Sequence, residues 1–372
     1  MSENEKYLSE QIITYIGNKR SLLDEIEKEI IKVKKSLNKD KLVCMDLFSG
    51  SGIVARMMKK HSSLIMANDL EQYSYLINSC FLSNKETFNE EEYKKYLDYV
   101  NEKCTSQPIE GIITKNYAPK DENNICKEDR VFYTKDNAIY IDSFRKYLED
   151  VPEPYKSFML CQLVTEASIH ANTSGVFKGF YKNSDTGIGM YGGKGQNALK
   201  RIKGKIEIKV PVFSNYSSDY KAYKEDAVAL SKKISADLTY IDPPYNQHPY
   251  GSNYFMLNTI IKNDIGSDLS RVSGIPKDWN HSVFNYKRTA LTSFEEIINN
   301  LNSKYVVISY NNEGFISFDE MKDMLSKYGK VSARQIKYNA FRGSRNLNER
   351  SIYTNEYIFT LKKEINWNES TW

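Results

Sequence analysis

The chain has 372 residues, 40% of them hydrophobic, and a formal net charge of +4. That length can bury a full core and leaves room for an insertion beside one large domain, while the modest charge does not by itself mark a nucleic-acid binder. No run of eighteen apolar residues occurs, and Met1-Ser2-Glu3-Asn4-Glu5-Lys6 lacks the basic-then-apolar order of a signal peptide, so a membrane partner is not expected and the expected location is cytoplasmic.

Tyr15-Ile16-Gly17-Asn18-Lys19 reads as a helix-entry turn. From Lys19 to Leu37, Leu22, Leu23, Ile26, Ile30 and Val33 fall on one helical face. Leu42 to Phe48 then reads as a buried strand, Ser49-Gly50-Ser51-Gly52 as a tight turn, and Ile53 to Lys60 as a helix. A second strand, Ser63 to Ala67, runs into Asn68-Asp69. Strand, glycine-rich turn, helix, strand and acid make the first half of a dinucleotide-type α/β fold. The turn matches neither the G-x-x-x-x-G-K-[ST] loop nor a full G-x-G-x-x-G, which disfavours a pyrophosphate ligand.

From about residue 81 to 215 the alternation breaks, with charged helix-like stretches, the polar Asp121-Glu122-Asn123-Asn124 patch and a glycine-rich basic run. This segment reads as an insertion, so that residues 1–80 and 216–372 form one domain. Cations cluster between Lys178 and Lys209, including Lys194 and Arg201, against Asp185 and Glu207, and again from Lys327 to Arg350 against Glu349 alone. Two such stretches suit phosphate contacts. The five cysteines show no C-x-x-C spacing and the four histidines do not cluster with them, so neither a disulfide framework nor a bound metal is expected.

The alternation resumes with Leu238-Thr239-Tyr240-Ile241, whose carboxyl end delivers Asp242-Pro243-Pro244-Tyr245. Two prolines remove two backbone donors, leaving carbonyl oxygens beside the Asp242 carboxylate. A cluster of acceptors suits a target that offers only N–H donors, such as the exocyclic amine of a base, and Tyr245 offers a ring for stacking on a base drawn out of its duplex. Asn246 to Tyr254 is polar and aromatic and is expected to line that pocket or the loop above it, before an insertion at about Lys262 to Arg288. Strands are expected at Tyr305–Ser309, Val331–Tyr338 and Tyr357–Leu361, the last two as an antiparallel edge hairpin through Phe341 to Asn346, with a helix near Ser317 to Lys327.

Taken together, Tyr15 to Lys19, Asp46 to Gly52, Asp69 and the later Asp242-Pro243-Pro244-Tyr245 resemble the Dam-like alpha group of adenine-specific DNA methyltransferases, over most of the chain and in the group's order. The resemblance implies a Rossmann-like methyltransferase fold, a mostly parallel seven-stranded α/β sheet with an antiparallel edge hairpin and helices on both faces. It further implies an inserted target-recognition region at 81–215, a monomer, S-adenosylmethionine as cofactor, double-stranded DNA as partner and a cognate restriction endonuclease as candidate partner. The cofactor residues it implies are Tyr15, Gly17, Lys19, Asp46, Phe48, Ser49, Gly50, Ser51, Gly52, the ribose-binding acid Asp69, and Asp226-Ala227, the last at the end of a short strand. At position 227 the family carries phenylalanine. The catalytic set it implies is Asp242, Pro243, Pro244 and Tyr245. Asn172 to Tyr181 resembles the family's N-G-L-[YF]-R-x-N run, and with the basic stretches it marks Phe177, Lys178, Tyr181, Lys194, Arg201, Arg342, Arg345 and Asn346 as DNA-binding candidates. The family's F-N-V-P-F-G signature is absent.

The residues alone leave rivals open: cytosine's amine, usually met by S-P-P-[YW], an adenine in RNA, a protein glutamine, usually met by N-P-P-Y, or a catalytically silent DNA-binding module. Aspartate at 242 favours adenine, and the lack of a Pro-Cys nucleophile argues against ring-carbon methylation.

Overall fold

A computed structural model describes residues 2–339 and 353–365. Seven strands form one sheet in the order β3-β2-β1-β4-β5-β7-β6: β1 Leu42–Asp46, β2 Ser62–Asn68, β3 Asp219–Tyr223, β4 Ser235–Ile241, β5 Asn302–Asn311, β6 Gly329–Asn339 and β7 Tyr353–Lys363. β1 to β5 pair parallel, whereas β7 runs antiparallel to both β5 and β6. The order reverses between β1 and β4, and the crevice beyond the carboxyl ends of strands at such a switch point is where open α/β sheets bind ligands.

Side-chain alternation explains the two covered faces. On β5, Val306 and Ile308 join one apolar cluster and Tyr305 and Val307 another. The second face is covered by α1 Leu23–Leu37 and α2 Ile53–Lys59. Helix α1 buries Leu23, Ile26, Ile30 and Val33, follows a single 3₁₀ turn at Arg20–Leu22, and ends where Asn38 turns left-handed.

The chain leaves the sheet after α3 Gln72–Phe81 and returns at β3, passing through α4 Glu90–Ser106, α5 Lys135–Tyr147 and α6 Tyr155–Ile169. These helices share one continuous apolar cluster with Tyr73, Ile77 and Phe81 of α3. The first face of the sheet is covered by α7 Ala227–Ser231, α9 Lys287–Asn300 and α10 Phe318–Ser326, while α8 Phe255–Lys262 joins the cluster around α3. Ser317 and Glu320 close a reciprocal capping box at the start of α10.

Most expected elements lie within a few residues of their observed ends. The short strand expected to end at Asp226 instead ends at Tyr223, because the Asp226 side chain accepts from the Ala229 amide and starts α7. The turn expected through Phe341 to Asn346 lies outside the described residues. Among the described residues no helix is long and apolar enough to cross a membrane.

Candidate active site

β1 ends at Asp46, and the chain then turns sharply through Ser49 to Gly52 into α2. Gly50 and Gly52 sit at φ of +50° and +76°, where an added Cβ would lie 2.6 Å from the Tyr15 ring and 2.6 Å from Asn78 Oδ1 respectively. The turn is tied on three sides. The Ser49 amide donates to the Asn68 carbonyl at 2.8 Å, Ser74 Oγ donates to the Gly50 carbonyl at 2.6 Å, and the Asp69 carboxylate accepts from the Gly50 amide at 2.8 Å. Asp46 Oδ2 accepts from the Ala55 amide at 3.1 Å, and among the described residues its buried Oδ1 meets no hydrogen-bond donor.

Over this turn lies a cleft of about 880 Å³ including its mouth, a size that suits a small-molecule ligand. Tyr15, Gly17, Lys19, Asp46, Phe48, Ser49, Gly50, Ser51, Asp69, Asp226 and Ala227 all line it, and so do Asp242 and Pro244. Pro243, Tyr245 and Gly52 are not part of its wall. Gly52 instead serves the close approach of α2 to Asn78, and Tyr245 packs edge-on to Tyr310 with its ring centroid 5.9 Å from Lys19 Nζ.

The Tyr15 ring stacks against both Tyr250 and Tyr254, with centroids 5.0 and 4.9 Å away, and those two rings lie 6.0 Å from each other. Two hydrogen bonds lock this stack to the entry turn: the Ile16 amide donates to Tyr254 Oη at 2.7 Å and Tyr250 Oη donates to the Ile16 carbonyl at 3.0 Å. Residues after the Asp-Pro-Pro-Tyr run thus hold the turn that precedes α1.

Lys19 is 3% exposed, and its ammonium contacts Asp242 Oδ1 at 3.0 Å and Glu356 Oε1 at 3.1 Å. Burial pushes the Asp242 carboxyl up to about 7, against the pull of Lys19 and with a further push from Glu356. Desolvation also holds the Glu71 carboxyl up at about 7, helped by the neighbouring Asp69 charge.

Several wall residues carried no sequence motif. Glu71 accepts from Asn258 Nδ2 at 2.6 Å, and Phe284 meets Phe48 edge to face at 5.2 Å. Asn280, Ser282 and Asn285 come with Phe284 from the segment that reads in sequence as an insertion. Where the resemblance expects an aromatic residue, the chain has Ala227, and Phe284 supplies a ring to the same cavity.

A carboxylate offers about four lone-pair sites, and Asp69 uses two of them on the Gly50 and Glu71 amides. Capacity remains for vicinal hydroxyls, and the bare Gly50 lets the Tyr15 ring close against the turn at the edge of the cleft. With aromatic rings at Phe48 and Phe284 as well, the wall fits a nucleoside with a charged tail.

The DNA-binding candidates separate by environment. Lys178 and Lys194 are exposed and Tyr181 is half-buried. Phe177 is 2% exposed, packed against Phe132 and Phe255, so it is a core residue and not a surface contact. Arg201 donates to the carbonyl of Ile169, the last residue of α6, and to those of Ala171 and Thr173 beyond it, which accounts for its guanidinium without a phosphate. Arg342, Arg345 and Asn346 lie outside the described residues.

A model of the D12 class N6 adenine-specific DNA methyltransferases matches residues 15–324. Over 360 residues the chain is 30% identical to the type II methyltransferase M.NlaIII of Neisseria lactamica, covering 94% of this chain and 99% of that one. It is 31% identical over 332 residues to the type II methyltransferase M.CviAII of Paramecium bursaria Chlorella virus 1, covering 86% and 89%. Its 28% identity to the type II methyltransferase M.FokI of Planomicrobium okeanokoites covers 94% of this chain and 53% of that longer one.

Proposed function

The chain belongs to the D12 class N6 adenine-specific DNA methyltransferases, and from that premise we propose that it transfers a methyl group from S-adenosylmethionine to the N6 amine of an adenine flipped out of duplex DNA, at a specific site, as the modification partner of a restriction endonuclease. The observation that carries this reading is that Asp242 and the Gly50-Ser51 turn open onto one cavity.

In this reading Asp69 holds the ribose hydroxyls, Asp226 and Phe284 flank the cofactor's base, and Tyr15 closes the cleft near Gly50. Bound there, S-adenosylmethionine supplies a methyl on a cationic sulfur, open to displacement by a nitrogen lone pair. Asp242 and the Pro243 carbonyl accept hydrogen bonds from the adenine amine. That amine is a poor nucleophile because its lone pair is delocalised into the ring, and acceptors on both hydrogens favour a tetrahedral nitrogen. Tyr245 provides the stacking face. Holding the reactants about 3 to 3.5 Å apart can remove roughly 7 to 11 kcal/mol of the barrier. No covalent nucleophile is needed. Region 81–215, with Lys178, Tyr181 and Lys194, is the surface assigned to target recognition, and contacts to phosphates there position the duplex.

Incubation with methyl-labelled S-adenosylmethionine and either duplex DNA or RNA, followed by mass analysis of nucleosides, tests the proposal. Label in N6-methyldeoxyadenosine from DNA is expected. Label confined to cytosine or to RNA, or no transfer at all, would overturn it.

A further inference from the structure

Glu356 lies on β7, is fully buried, and is absent from the wall of the cleft. Its carboxylate lies 3.1 Å from the Lys19 ammonium. The Lys19 ammonium donates to the Gly17 carbonyl at 3.3 Å and lies within ion-pair distance of two carboxylates, 3.0 Å from Asp242 Oδ1 and 3.1 Å from Glu356 Oε1. One cation therefore serves two buried carboxylates and braces the entry turn. Burying a second carboxylate is costly unless it is well paired, and packing alone would be served as well by an apolar side chain.

We propose that Glu356 is a positioning residue for methyl transfer: it shares Lys19 with Asp242, so that the ammonium divides its charge between two carboxylates and does not saturate the oxygens that must accept the substrate amine. This rests on the reading of Asp242 as the amine acceptor. Without Glu356 the ammonium, already 3.0 Å from Asp242 Oδ1, is shared with no second carboxylate. Both the amine and the ammonium make charge-assisted bonds to an ionised carboxylate, but the ammonium adds a full positive charge of its own, so Lys19 then outcompetes the adenine amine for the same oxygens.

The signature is electrostatic. Asp242 faces Lys19, Glu356, Asp46 of β1, Tyr240 of β4 and Tyr245, and Lys19 faces Tyr250 in addition. Of these, Glu356 pushes the Asp242 carboxyl up and Lys19 pulls it down. Removing the Glu356 charge leaves the pull of Lys19 unopposed.

The test compares pH profiles of kcat/KM for DNA methylation in the wild type, Glu356→Gln and Glu356→Asp, with S-adenosylmethionine affinity measured by calorimetry. Glu356→Gln is expected to move the rising limb to lower pH by about one unit and to lower kcat about tenfold on the plateau, with cofactor affinity unchanged. Glu356→Asp, which keeps the charge, should leave the limb in place. A folded Glu356→Gln chain with wild-type kcat and limb overturns the proposal. If Glu356→Gln does not fold, Glu356→Asp decides: with the charge kept it must hold the wild-type limb, and a limb displaced in that folded variant overturns the proposal. Asp242→Asn separates the two readings. Full turnover in that variant removes the acceptor role itself, whereas an inactive Asp242→Asn beside an unchanged Glu356→Gln removes only the role of Glu356.

Discussion

The Asp69 carboxylate accepts a hydrogen bond from the Gly50 amide at 2.8 Å, tying the residue that follows β2 to the turn that leaves β1. The acid that lines the cleft and the glycine turn beneath it are thus one mechanical unit. Gly50→Ala places a Cβ 2.6 Å from the Tyr15 ring at a left-handed φ, and either the turn or the ring has to move. A loss of S-adenosylmethionine affinity of at least tenfold, about 1.4 kcal/mol, is expected by calorimetry. Asp69→Ala removes both the brace and the hydroxyl acceptor and is expected to weaken affinity by a charged hydrogen bond, about 1.5–3 kcal/mol. Wild-type affinity in either variant contradicts the cofactor assignment.

Methyl transfer should depend on pH through Asp242. Its carboxyl stands at about 7, and only the ionised form accepts from an amine on either oxygen. Activity is therefore expected to rise with pH, with the limb of kcat/KM near 7. Lys19→Met removes the charge that lowers this value and should carry the limb to higher pH, opposite in direction to Glu356→Gln. Stability follows the reverse sign. A carboxyl raised by the fold favours the folded state when protonated, so its contribution is complete below the ordinary aspartate value of about 3.9 and is lost as pH rises through about 7. A flat kcat/KM profile between about pH 5.5 and 8.5 would exclude Asp242 as the titrating acceptor.

Much of this architecture was readable because it is local. β1, the glycine turn and α2 follow one another in the chain, and each is dictated by residue type: an unbroken apolar run, then positions where only glycine fits, then a helical face. Asp242-Pro243-Pro244-Tyr245 is equally local, its chemistry set by prolines that leave acceptors and no donors. What the sequence could not show is long-range. Glu356 meets Lys19 only because β7 inserts antiparallel between β5 and β6, and Phe284 meets Phe48 only because the segment after α8 folds back over the cleft. Charge runs misled for a related reason, since sequence displays a cation but not its partners. Arg201 in a basic stretch looked like a phosphate contact, and the carbonyls beyond α6 are what it meets.

Phe284 gives the cleft that Ala227 also lines an aromatic wall. Phe284→Ala is expected to weaken S-adenosylmethionine by about 1–3 kcal/mol, the range of base–aromatic stacking, with kcat at saturating cofactor little changed. Ala227→Phe in the same chain should recover part of the loss if both positions address the same base. An affinity unchanged by Phe284→Ala would assign the cofactor's base to another wall.

The basic segment should divide into structural and DNA-facing cations. Lys178 and Lys194 project into solvent, and each phosphate they neutralise releases a condensed counterion, so removing one contact should reduce the slope of log K against log salt by roughly 0.9. Lys178→Ala with Lys194→Ala is therefore expected to weaken binding to all duplexes alike, to flatten the salt dependence, and to leave the melting temperature near wild type. Arg201→Ala should do the opposite. It leaves the carbonyls of Ile169, Ala171 and Thr173 without their donor, a loss of about 1–3 kcal/mol in stability, while the salt slope of the remaining folded protein stays where it was. A salt slope that falls in Arg201→Ala, or one that does not move in the double lysine variant, would reverse this division and return Arg201 to the DNA-contacting surface.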